Sequence, residues 1–275
     1  MSKKSSADII AHMSTYIDIG VNLTDSSFTH DLDDVVQRAR HVGVSHMIVT
    51  GTDIQHSQLA LQINRLYPGV LMSTAGVHPH HASEFDGETI PSLRDLCSEA
   101  TVVAVGECGL DYNRNYSAPA DQRRAFEAQL RLACELDLPV FLHQRDAHAD
   151  FVSMLAEFRH DLSGAVAHCF TGSTDQAMEY VAMGMYIGIT GWICDERRGL
   201  ELQQAVKQIP LDRVMLETDA PYLLPRDLRK PPIQKRRNEP CYLPHICETT
   251  ARHRGIESRL LAQSALENSR RFFSI

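Results

Sequence analysis

A chain of 275 residues and 30.8 kDa has room for one large barrel or two smaller domains. Hydrophobic residues are 43% and charged residues 23%, ordinary globular values that exclude a disordered chain, a collagen repeat and a coiled coil. The net charge of −8 argues against adhesion to nucleic acid through the whole surface, but not against a local basic mouth or a metal-lined site.

Along the chain, no apolar run approaches the roughly 18 residues that span a bilayer, so no membrane association is expected. Asp8 interrupts the short apolar stretch after Lys3 and Lys4, which does not read as a secretory leader. Residues 1–14 read as a loose tail and residues 15–275 as one domain. The first strand is expected at 16–21 (YIDIGV) and the second at 45–50. Further short apolar runs follow at 70–76, 101–106, 139–143, 164–169, 185–190 and 213–218. Each suits a strand buried on both faces of a parallel sheet. Helix-length segments alternate with them at 30–42, 54–66, 89–99, 119–136, 148–158, 174–183 and 199–208. In the fourth of these, Phe126, Leu130, Ala133 and Cys134 make one apolar face, and Pro119 suits the first turn. A Pro-rich loop at 220–240 leads to helices at 241–253 and 256–273. Eight strand–helix units predict an α/β fold, a (β/α)₈ TIM-like barrel of the metallo-dependent hydrolase type. No G-x-G-x-x-G follows a strand, so dinucleotide binding has no support. The seven cysteines form no CxxC pair and are odd in number. They suggest neither a zinc ribbon nor a disulfide framework, and a reducing cytoplasm is expected.

In such a barrel the chemistry lies at the C-terminal ends of the strands. The runs end in GVHPH (76–80), GECGLD (106–111), HQR (143–145), HCF (168–170) and ETDAP (217–221). Glu107, His143, His168 and Asp219 are separated by 36, 25 and 51 residues, or one, one and two βα units. A lone histidine is a weak signal, since most are hydrogen-bonded surface or core residues. Four such side chains at matching strand ends make a mixed N/O set for a divalent ion. A bound cation lowers the pKa of coordinated water, chemistry that suits hydrolysis of an ester, an amide or a phosphodiester.

The strings GECGLD, HQRDA (143–147), HCFTGS (168–173), ETDAPYLLP (217–225) and GVHPH occur in one order. From about Tyr16 to the C-terminus the chain resembles the TatD family of metal-dependent nucleases. DIGVNLT (18–24), ITGWICDERRG (189–199) and RRNEP (236–240) place the resemblance in the bacterial TatD branch. The resemblance implies 3′-to-5′ exonuclease action on single-stranded DNA and RNA, with magnesium as the cation and a role in DNA repair. A monomer is expected, and no protein partner is implied. Most members carry D-x-H-x-H on the first strand, but Gly20 and Asn22 stand where those two histidines would be. One metal site is therefore expected at Glu107, His143 and His168, with a second possible only with substrate phosphate as a ligand.

Asp219 is the expected general base or a further ligand, its alternative being a loop cap before Pro221. His78 is expected either to hydrogen-bond the scissile phosphate or to protonate the leaving 3′-oxygen. Arg145, two residues past His143, is expected to clamp phosphate or to form an ion pair with Asp111 or Asp146. Cys108 and Cys169 flank ligands and are expected to point outward under the helices. Bases can stack on one or two of Tyr112, Phe170, Trp192 and Tyr222, although packing is the commoner use. The basic run Arg226, Arg229, Lys230, Lys235, Arg236 and Arg237 either guides a phosphate backbone or is a solvated loop. Two rival functions share this scaffold. One is an amide or ester hydrolase such as a D-aminoacyl-tRNA deacylase, weakened by Glu107 standing where that wider group often has a bridging lysine. The other is a non-catalytic nucleic-acid-binding barrel.

Overall fold

The computed structural model describes residues 14–228, 233 and 236–275. The expected tail lies outside them except for Ser14, as do Arg229, Lys230 and Lys235. Eight parallel strands pair in sequence order: β1 (Tyr16–Val21), β2 (Val44–Val49), β3 (Leu71–Ala75), β4 (Val102–Asp111), β5 (Val140–Arg145), β6 (Ala165–Ala167), β7 (Tyr186–Ile189) and β8 (Val214–Leu216). The barrel closes where the Asn22 N–H donates to the Ala220 carbonyl at 2.7 Å and the Asp219 N–H donates to the Gly20 carbonyl at 2.9 Å. Seven helices follow the first seven strands: α1 (Leu32–His41), α2 (Ile54–Leu66), α3 (Thr89–Cys97), α4 (Pro119–Leu136), α5 (His148–Phe158), α6 (Thr174–Ala182) and α7 (Leu200–Ala205). After β8 come α8 (Leu243–Arg254) and α9 (Ser258–Phe273). The expected TIM-like barrel is thus present.

Two apolar layers hold it together. The larger lies between sheet and helices and includes Val49, Leu110, Phe126, Leu142 and Phe151. The smaller gathers Ile17, Ile19, Ile48, Phe141, Val166 and Met215. Those residues come from opposite sides of the barrel, β8, β1 and β2 on one side and β5 and β6 on the other, so they meet in the barrel interior. Phe272 and Phe273 of α9 join this interior cluster with Tyr186. Asp18 is fully buried and accepts from the Thr218 N–H at 2.9 Å, tying β1 to the end of β8. Burial pushes its carboxyl up to about 8, so this latch is protonated at neutral pH.

Among the strand ends that differ from the sequence reading, three shape the site most. β4 runs five residues past the expected end, to Asp111. It does so by pressing against β5 where only glycine fits: a Cβ at Gly106 would sit 2.2 Å from the Phe141 carbonyl oxygen, and one at Gly109 1.9 Å from that of His143. Both glycines hold positive φ. β6 and β8 instead stop early, at Ala167 and Leu216. The chain turns just beyond them, with Cys169 at φ 48° and Asp219 at φ 55°. Left-handed conformations at non-glycine residues are costly and cluster where side chains must be aimed.

Candidate active site

At the C-terminal ends of the strands, a cavity of about 590 Å³ opens over Glu107, His143, His168 and Asp219. Glu107 is its hub and is only 5% exposed. Its Oε1 lies 3.0 Å from His143 Nδ1, 3.2 Å from His168 Nε2 and 3.3 Å from His78 Nε2. Burial alone would raise its pKa, but the surrounding imidazoles, His168 and His78 foremost, hold it well below the usual carboxylate range. The four strand-end residues named from the spacing do meet around one cavity.

Each histidine is aimed by a carboxylate that the spacing did not single out. His168 Nδ1 lies 2.8 Å from Glu217 Oε2, while the other Glu217 oxygen accepts from the Cys169 N–H. His143 Nε2 lies 3.3 Å from Asp111 Oδ2. Asp111 is itself fixed, accepting from the backbone N–H groups of Asn113 and Arg114 at 3.0 and 2.8 Å and facing His80 Nε2 at 2.9 Å. Burial disfavours charge on both imidazoles. The carboxylates outweigh it, raising His143 above its ordinary pKa and His168 well above. A carboxylate partner on one ring nitrogen leaves the other nitrogen for a ligand. A signal for both acids was present: Asp111 lies on the Glu107 face of β4, four residues on, and Glu217 lies two residues before Asp219.

His78 precedes a 3₁₀ turn, and its Nδ1 accepts from the His80 N–H at 3.1 Å. Burial pushes its pKa down to about 4, so it is neutral with its proton on Nε2. That makes it a hydrogen-bond donor into the cavity, not a ready source of a proton. Asp219 Oδ1 accepts from Asn22 Nδ2 at 3.0 Å. Burial pushes its carboxyl up to about 7, against the lowering effect of His168. Asn22 therefore holds a carboxylate where the D-x-H-x-H pattern would offer an imidazole. At Gly20 a Cβ would lie 2.5 Å from Glu217 Oε2, 3.1 Å from the Phe141 ring and 3.3 Å from His168 Nδ1. The first histidine position of the motif is thus filled by neighbouring groups.

Arg145 does continue β5, is exposed, and lines the cavity. Among the described residues it makes no ion pair, so the alternative pairing with Asp111 or Asp146 is not found. Cys108 is buried in the outer layer, as expected. Cys169 is not: the left-handed turn after β6 brings it to the cavity wall. Of the aromatic candidates, Phe170 is buried and packs edge-on against Tyr180. Tyr112 donates to Asp150 at 2.7 Å. Trp192 and Tyr222 line the cavity. The basic run needs correction at Arg237. It is 9% exposed, and its guanidinium is held by Asp31 and Glu239, each at 2.7 Å, over the Phe28 ring. It anchors the post-β8 loop and is not available to phosphate. Arg226 lies 3.8 Å from Asp195.

The donor set fits a divalent ion. Glu107, Asp111, Asp219 and Glu217 converge on the site, and no Lys or Arg pairs with any of them among the described residues. Buried carboxylates in such number need positive charge. Donor atoms of His78, Glu107 and His143 lie within 4.8 Å of one another. A second group meeting that limit, Cys194, Asp227 and His245, already has Asp227 paired with His245 at 2.6 Å and Arg252 at 3.5 Å.

The chain is similar to several known proteins. A family model described as TatD related DNase matches residues 17–274. A Cronobacter sakazakii protein named 3′-5′ ssDNA/RNA exonuclease TatD is 56% identical over 256 residues, covering 93% of this chain and 97% of its own. The protein of that name from Erwinia tasmaniensis is 55% identical, covering 94% and 99%. The crystal structure of a TatD family hydrolase from Entamoeba histolytica superposes with a TM-score of 0.86 at 28% identity, covering 94% of this chain and 98% of its own.

Proposed function

The chain belongs to the TatD-related DNase family, and from that premise we propose that it is a metal-dependent 3′-to-5′ exonuclease. Its substrates are the phosphodiester bonds of single-stranded DNA and RNA, and trimming of 3′ ends in DNA repair belongs to the same proposal. The observation that carries it is the convergence of His143 Nδ1 and His168 Nε2 on one Glu107 oxygen, at 3.0 and 3.2 Å.

Glu107, His143 and His168 would hold the cation, with Asp219 beside them as a further ligand or as the base. Loss of the two β1 imidazoles shifts the donor set toward oxygen and away from zinc, and the proposed cation is magnesium. A dication held there would supply Lewis-acid activation of the phosphate and of water. With Gly20 bare and Asn22 turned to Asp219, β1 offers no imidazole, so protein groups alone would hold one cation. A second would need substrate phosphate among its ligands.

The chain's own groups do the rest. Asp219, oriented by Asn22, accepts the proton of the attacking water. His78 donates its Nε2 proton in a hydrogen bond to the scissile phosphate. Arg145, exposed at the cavity wall, sets its planar fork against phosphate and offsets charge that builds in the transition state. Glu217 and Asp111 keep the two imidazoles in place. Trp192 and Tyr222 offer ring faces for a base. No helix among the described residues is long and apolar enough to cross a membrane. All seven cysteines are free thiols, which suits a reducing cytoplasm.

The test is a time course on 3′- and 5′-labelled single-stranded oligonucleotides with magnesium, with and without excess chelator. The expected result is a single-nucleotide ladder from the 3′ end that chelator abolishes and magnesium restores. Undiminished cleavage in excess chelator contradicts the proposal. So does release of an amino acid from aminoacyl-tRNA with no nucleotide released from any substrate.

A further inference from the structure

An exonuclease must hold the polymer that stays behind as well as the nucleotide it removes. A second cavity, of about 580 Å³, adjoins the first and shares Gln144, Arg145, His168 and Thr171 with it. It is nearly as large as the catalytic cavity, so it accepts a comparable length of chain. Arg145 sits on the shared wall with no ion-pair partner among the described residues, and Thr171 beside it is exposed. A phosphate passing from one cavity to the other meets both. Beyond that wall the lining is polar: Ser173 and Gln176 can meet base edges and sugars, and Asn113 donates to Asp146 at 2.7 Å. We infer that this second cavity is the subsite for the two or so nucleotides on the 5′ side of the scissile phosphate, and that Arg145 and Thr171 form the threshold between the subsites. The inference rests on the exonuclease reading and adds the path of the retained strand.

One wall residue provides a graded test. Glu201, at the start of α7, is exposed, lines only the second cavity and pairs with no cation among the described residues. It faces a polyanion if the strand runs there and faces nothing if it does not. Steady-state kinetics are compared on a dinucleotide and a tetranucleotide for the parent, Glu201→Gln and Glu201→Lys. In the parent, kcat/KM rises about tenfold from the shorter to the longer substrate, because binding energy away from the reacting bond contributes to the rate. KM for the tetranucleotide then falls about two- to threefold at each step of the charge series, as expected for one partly screened charge. A dinucleotide without a 5′-phosphate carries only the scissile phosphate and places no further charge in the second cavity, so its constants shift less. The shifts collapse at about 1 M salt, where the Debye length is about 3 Å. Length-independent cleavage by the parent, or equal shifts for both substrates, overturns the subsite alone. Failure to cut any oligonucleotide overturns the exonuclease reading and the subsite with it.

Discussion

Glu107→Gln is expected to lower kcat/KM on single-stranded DNA by at least about a thousandfold, the scale of several kcal/mol of lost transition-state stabilisation. The substitution keeps the shape of the side chain and removes its charge. Three imidazoles lie within 3.3 Å of the carboxylate oxygen, and the amide leaves them without the anion that gathers them. Divalent-cation binding, followed by calorimetry, should be lost together with activity, while the circular dichroism spectrum and melting behaviour stay near those of the parent. Parent-like turnover in Glu107→Gln contradicts the assignment. Loss of activity with full cation affinity contradicts the ligand role and leaves only an orienting one.

Asp219→Asn is the second large effect. General-base catalysis contributes about 10²–10⁴-fold, and kcat should fall by that order. The pH profile separates this from simple damage. A base works only when ionised, and burial raises the Asp219 carboxyl to about 7. The parent rate should therefore rise with pH as the carboxylate forms, levelling above that value. A cation in the cavity shifts the midpoint downward by favouring the anion. In Asp219→Asn the residual rate should lose this rising limb. A variant that keeps the limb at its original midpoint shows that another group supplies it.

The barrel was legible because each buried strand is a short apolar run bounded by polar turns, and every helix lies close to its expected bounds. The metal set was legible because the barrel puts chemistry at strand ends, so sequence spacing becomes spatial proximity. Asp111 and Glu217 were harder to read. An acid at a strand end looks alike whether it ligates, caps or orients a ring, and only the 2.8 Å contact of Glu217 with His168 decides its part. β4 was read too short because Gly106 and Gly109 interrupt the β-favouring run, although their lack of Cβ is what lets β4 lie against β5. Cys169 defeated alternation because a left-handed residue resets the face its side chain meets. Arg237 looked like part of a basic tract, but one partner, Asp31, lies 206 residues earlier in the chain. No local pattern carries that information.

The central claim is that Glu107, His143 and His168 jointly grip one cation. The most direct measurement is anomalous diffraction from crystals grown with manganese as a stand-in for magnesium. The expected map has one strong peak within bonding distance of the Glu107 carboxylate, His143 Nδ1 and His168 Nε2, and no peak of similar height inside the β1 end of the cavity beside Gly20. A map with no peak at Glu107, or with its strongest peak between Cys194, Asp227 and His245, contradicts the account.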